Sequence, residues 1–149
     1  RVTENTHISV LRNELDQSAN KTETLSEEQL SLEKGVEVYE IDGPFFFGIA
    51  NKFDEQMRIL GDKPLVRIIR MRKVPFIDST GIHNLEIFIN SSRKENIHVI
   101  LSGVNPTVHA SLERMGVEAL LGDEYIFDNI HKAVAKANIM ASELKAQPK

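Results

Sequence analysis

The stretch "VPFIDSTGIHNLE", residues 74–86, changes its rhythm halfway along. Up to Ile77 it extends the apolar run of "PLVRIIRM", residues 64–71, and from Ile82 onward apolar residues return at helical spacing. Between the two stand Asp78, Ser79, Thr80 and Gly81. An acid followed by two hydroxyls is the chemistry of a helix start, because side-chain oxygens accept from first-turn N–H groups that have no partner within the helix. The segment therefore reads as strand, loop and helix. Asp78 is the cap, and Ile82, Leu85, Phe88 and Ile89 mark a buried face running to about Lys94.

The same unit recurs downstream. "NIHVILS" (96–102) is a further strand ended by Gly103, and Asn105-Pro106 supplies a cap and a proline at the first helical position. Val108, Leu112 and Met115 form the inward face of that helix, and Gly116 stops it. "EYIFD" (124–128) is a short extended piece. Asp128 then caps a final helix with Ile130, Val134, Ala137 and Ala141 inward.

Upstream, "VEVYEI" (36–41) suggests a strand with one wetter face carrying Glu37 and Glu40. Asp42-Gly43-Pro44 is a turn and "FFFGIA" (45–50) a second short apolar run. Ala50, Phe53, Met57 and Leu60 predict a helix stopped by Gly61 and Pro64. Strands alternating with helices imply crossovers between parallel neighbours. The expected class is α/β, with a small mixed, mostly parallel sheet of four to five strands and about four to five helices.

Residues 1–34 differ in character from the rest of the chain. They hold neither Gly nor Pro and few large apolar groups. Ile8, Leu11 and Leu15 fall at helical spacing, and Ser26 ahead of two acids is a second cap. This part is expected to be a tether, residues 35–144 the compact domain, and residues 145–149 a disordered tail. An opening Arg1 rather than Met suggests a piece of a longer polypeptide.

Composition narrows the function. A chain of 149 residues with 41% hydrophobic residues can bury one ordinary core. A net charge of -4 lacks the basic face that nucleic acid requires. With no cysteine there is no thiol chemistry or disulfide. No apolar run approaches the ~20 residues of a membrane span, and no signal peptide is visible.

Chemistry-bearing residues are few. The helix start at Asp78 carries partial positive charge, and Arg70 and Arg72 stand a few residues before it, which suits an anion contact; the alternative, favoured by composition alone, is that Asp78 is a plain cap and the arginines make surface ion pairs. His7, His83, His98, His109 and His131 never pair at ligand spacing, and no metal is expected. Ser79 and His83 are four apart, as a nucleophile and base could be, but no third orienting group accompanies them. Neither an enzyme activity nor a cofactor is expected.

Four blocks carry a resemblance: "VYEIDGPFFFGIANKF", "RMRKVPFIDSTGIHNLE", "LSGVNPTVHASLERMG" and "YIFDNIHKAVAKA". In this order, over about residues 35–140, they resemble the STAS domain at the cytoplasmic C-terminal end of SulP-type anion permeases. That resemblance implies a regulatory domain on the cytoplasmic face of the inner membrane, with residues 1–34 joining it to the last membrane helix. The implied partners are the transmembrane domain of the same chain, a regulatory protein and a weakly held nucleotide near Asp78. The full-length protein would be a homodimer transporting an anion, sulfate by family default. The same fold family includes free-standing anti-sigma factor antagonists, in which a Ser of a D-S-[ST]-G motif is phosphorylated by the partner kinase. Carried over, the motif falls on Asp78, Ser79, Thr80 and Gly81, with Ser79 the first and Thr80 the second candidate for modification. The "FFFGIA" and "RMRKVPFID" segments fit the permease branch better.

Overall fold

A strand covered on both faces is buried along its whole length, and Val66 through Met71 are buried without a break, Arg67 and Arg70 included. The computed structural model describes residues 7–11, 30–42 and 63–147. The 45–50 run, the helix expected over 50–60, and Leu15 and Ser26 lie outside them. Strand β1 (His7–Leu11) pairs antiparallel with β2 (Val36–Asp42). Strand β2 runs parallel to β3 (Val66–Lys73), which runs parallel to β4 (His98–Ser102), giving the order β1-β2-β3-β4. Helix α1 (Ser79–Lys94) crosses from β3 to β4. Helices α2 (Pro106–Arg114) and α3 (Val117–Leu121) and a 3-10 turn at Asp123–Tyr125 follow. Ile126 then adds one parallel bridge to Leu101, and α4 (Ile130–Ala146) closes the chain. This is the expected α/β class with a mixed, mostly parallel sheet.

Side chains alternate across each strand, so the sheet has two separate cores. On one face Tyr39, Ile41, Ile69, Met71, Val99 and Leu101 meet α1, α2 and α3. On the other Val36, Val38, Val66, Ile68 and Ile100 meet α4. Each of Leu85, Phe88 and Ile89, all sealed from solvent, contributes about 1.5–3 kcal/mol by burial. The face of α4 expected to be inward, at Ile130, Val134, Ala137 and Ala141, is the buried one.

Several expectations are corrected. Ile8 and Leu11 lie on a strand, not a helix. Five residues with Ile8 and Val10 alternating satisfy a strand period equally well, and pairing with β2 supplies hydrogen bonds an isolated helical turn would lack. The tether boundary at Gly35 falls too late, because Leu30 and Leu32 sit in the α4-side core. The tail does not begin at Lys145: α4 runs to Ala146, and Lys145 Nζ lies 3.0 Å from both Glu33 Oε2 and the Lys34 carbonyl. Asn129, not Asp128, caps α4, its Oδ1 accepting from Lys132 N at 2.9 Å. Met115 is exposed, since α2 ends before it turns inward.

Strand β2 has no wetter face. Glu37 and Glu40 are three apart and project from opposite faces, each buried beside an arginine of β3. On the α1 side Arg67 is 1% exposed. Its guanidinium donates to Ser92 Oγ at 2.8 Å and lies 5.0 and 5.1 Å from the ring centres of Tyr39 and Phe88. The Tyr39 hydroxyl donates to Glu37 Oε1 at 2.8 Å. Burial pushes that hydroxyl well above the usual tyrosine range. The charge is thus distributed over several partners and ties the second half of α1 to the sheet.

Candidate functional site: the start of helix α1

Loop 74–78 leaves the carboxyl end of β3 and is fixed by two buried residues three apart. Val74 and Ile77 are buried, while Pro75 and Phe76 face solvent, Phe76 at 51% exposure. Asp78 has extended backbone angles and closes the first turn, its Oδ1 accepting from Gly81 N at 2.8 Å. Its carbonyl accepts from Ile82 N at 2.8 Å. The first turn contains no acid, so the positive end of the helix is offset only by Asp78 just before it.

Gly81 has a packing reason. A Cβ there would stand 2.7 Å from Ile77 Cγ1, so the missing side chain makes room for the loop's own buried isoleucine. The close approach that glycine permits is made by the protein itself.

The neighbouring loop holds this one from behind. Asn105 caps α2 through Oδ1, which accepts from Val108 N at 2.7 Å. Its Nδ2 donates to the carbonyls of Val74 and Pro75 at 3.4 and 3.3 Å. Gly103, at φ +68, lets β4 turn against β3: a Cβ there would lie 2.7 Å from the Arg72 amide nitrogen. The two loops at the carboxyl edge of the sheet therefore form one tied unit, the edge where ligands of open α/β sheets gather.

Asp78, Ser79 and Thr80 are exposed together and Gly81 is buried beneath them. His83 and Ile87, the latter at 45% exposure, continue an outward strip along α1. Arg70 and Arg72 are not part of this surface. Even-numbered residues of β3 project to the α4 side of the sheet, and both arginines turn to Glu40. Arg72 Nε lies 2.8 Å from Glu40 Oε2, Arg70 Nη1 3.9 Å from Oε1, and Lys73 Nζ 3.8 Å from Oε2. Glu40 and Arg70 are each 4% exposed, so this cluster neutralises a buried carboxylate. Sequence proximity placed the arginines beside Ser79, and strand alternation separates them. Phe76 was the surface residue that sequence reasoning missed. Strict alternation along "VPFI" would have buried Phe76 with Val74 and turned Ile77 out; the loop instead buries Val74 and Ile77, three apart, so no pattern in the sequence pointed to Phe76.

No helix among the described residues is long and apolar enough to cross a membrane. The family model of the STAS domain matches residues 29–136. A solved structure of a sulfate transporter family protein from Wolinella succinogenes is 41% identical, covering 77% of this chain and 94% of that one, with a TM-score of 0.70. The STAS domain of a SulP transporter from Vibrio cholerae is 34% identical, covering 83% and 94%, with a TM-score of 0.67. Among curated proteins, the chloroplastic sulfate transporter 4.1 of Arabidopsis thaliana is 26% identical over 113 aligned residues, the match covering 67% of this chain and 16% of that protein. The chain spans about a sixth of the length of such curated relatives.

Proposed function

The chain belongs to the STAS domain family, and from that premise we propose that it is the cytoplasmic regulatory and interaction domain of a SulP-type secondary anion transporter, with sulfate as the anion. Two solved structures, one of a sulfate transporter family protein and one of a SulP transporter STAS domain, each matched over 94% of its length, support the branch. The observation that carries the mode of action is the open start of α1. Ser79 and Thr80 stand exposed beside Phe76 on a loop tied down from behind. A rigid, mixed surface of one aromatic, two hydroxyls and an acid suits contact with another protein surface.

The partner is the transmembrane part of the same polypeptide or a regulatory protein, on the inner membrane's cytoplasmic face, in a homodimeric transporter. Action is by population shift: whatever prefers one arrangement of the domain against the membrane part changes transport by its differential affinity. Phosphorylation of Ser79, or second of Thr80, would add about -1.5 to -2 charges to this surface. A nucleotide at the same helix end meets competition, because Asp78 already occupies the Gly81 N–H. The domain itself makes and breaks no bonds. Ser79 and His83 lie on an open helix face that excludes no water from a reacting centre.

The test uses the full-length polypeptide in cells lacking their own sulfate uptake. Phe76→Ala and Ser79→Asp should each change the initial rate of labelled sulfate entry by roughly fivefold, the effect of a coupling near 1 kcal/mol, at unchanged membrane abundance. Unchanged rates in both would remove the regulatory surface. A coding sequence with no hydrophobic segments upstream of Arg1 would instead favour the free-standing antagonist controlled by serine phosphorylation.

A further inference from the structure

Away from the α1 surface, three donor side chains from three short elements converge. His109 lies on α2, Glu118 on α3 and Asp123 in the 3-10 turn. His109 Nε2 is 3.5 Å from Glu118 Oε2 and 3.5 Å from Asp123 Oδ1, and one donor atom from each residue lies within 4.8 Å of the others. Among the described residues this is the group of histidine and carboxylate donors so arranged. Tetrahedral zinc with bonds of about 2.0–2.1 Å sets its ligand atoms roughly 3.4 Å apart, close to the two His109–carboxylate distances, and the carboxylate pair lies within 4.8 Å.

We propose that His109, Glu118 and Asp123 form a binding site for a zinc-class divalent cation. One imidazole nitrogen with two carboxylate oxygens suits an ion of that class better than calcium or magnesium, which favour all-oxygen sets. His109 and Asp123 also line an open groove of about 630 Å³ with Glu113, Phe127 and Lys132, so the ion can enter and a fourth ligand can approach from solvent. The backbone reverses at Gly116 (φ +91) and Gly122 (φ +104), which is what brings donors 9 and 5 residues apart in sequence to one point. Bound metal would clamp α2, α3 and the turn into one block. The competing account is a contact of His109 with the two carboxylates that holds no metal ion.

The purified chain, without a histidine tag and stripped with chelator, is titrated with zinc by calorimetry and followed by thermal melting. One ion per chain is expected, with a melting temperature that rises with zinc. In amide NMR spectra the largest shifts should fall at residues 109, 118 and 123. His109→Gln should abolish binding. Glu118→Gln and Asp123→Asn should each weaken it by at least the roughly 10- to 100-fold typical of losing an outer-shell partner. His98→Gln, a surface histidine elsewhere, should leave it unchanged. Absence of saturable uptake at roughly millimolar zinc, or uptake that survives His109→Gln, overturns the site. Glu118 and Asp123 are partly and largely exposed, so their variants keep the test valid if the His109 variant folds poorly.

Discussion

Asp78 and Asn105 start their helices by the same bond, one accepting from Gly81 N at 2.8 Å and the other from Val108 N at 2.7 Å. Beyond that bond they differ. Asn105 has a second, donating end that reaches back to Val74 and Pro75, and Pro106 follows it at the first helical position. Asp78 is followed by two exposed hydroxyls and preceded by an exposed phenylalanine. The α2 start is built inward to hold the sheet edge together. The α1 start uses the least capping that works and turns the remainder of its chemistry to solvent. Adjacent loops can therefore share their capping physics and divide the work of support and contact between them.

The largest effect should come from the support side. Gly103→Ala would place a Cβ 2.7 Å from the Arg72 amide nitrogen at φ +68, against backbone that cannot swing away. Strain and overpacking together should cost about 3 kcal/mol. Urea unfolding measures this. A loss below about 1 kcal/mol would mean that the β3 and β4 ends are not in close contact, and the tied unit would fall with it.

A reciprocal pair of isosteric changes sharpens the contrast. Asn105→Asp keeps an accepting cap but replaces the donor facing two carbonyls with a carboxylate oxygen, so about 1–3 kcal/mol should be lost. Asp78→Asn also keeps the cap and removes only the charge at the helix end, about 0.3–1 kcal/mol. Equal losses in the two unfolding curves would show that Asn105 does no more than cap.

Much of this division was legible in the sequence, for reasons of chain-local physics. Caps and stops act within a few residues, so Asp78, Asn105-Pro106 and Gly116 could be read directly, as could the period of α1 and α4. What escaped depended on partners distant in sequence. In "VRIIRMRK" both faces of the strand are covered, so apolar pattern does not say which way Arg67, Arg70 or Arg72 points. Arg67 goes to the α1 side and the other two to Glu40 on the α4 side. The period of His7–Leu11 was decided by the free edge of β2, not by its own residues. Leu30 and Leu32 looked like part of a polar tether until α4 was there to cover them. His109 has no ligand-spaced partner along the chain because two glycine reversals create the proximity.

The smallest stability effect belongs to the contact side. Ser79→Asp places a negative charge in a first turn that has no acid, beside N–H groups at the positive end of α1. That interaction favours the folded state by about 0.3–1 kcal/mol, while repulsion from Asp78 works against it, so the net change should lie within about 0.5 kcal/mol of zero. The same residue is exposed and has no packing to disturb. If the two loops divide the work as proposed, Ser79→Asp should leave the unfolding curve almost in place and still change sulfate entry in the full-length protein. Asn105→Asp should do the reverse per kcal/mol, shifting stability and altering transport only in proportion to it. A Ser79→Asp variant that unfolds more than about 1.5 kcal/mol more easily would put the hydroxyl among the supports and dissolve the distinction between the two helix starts.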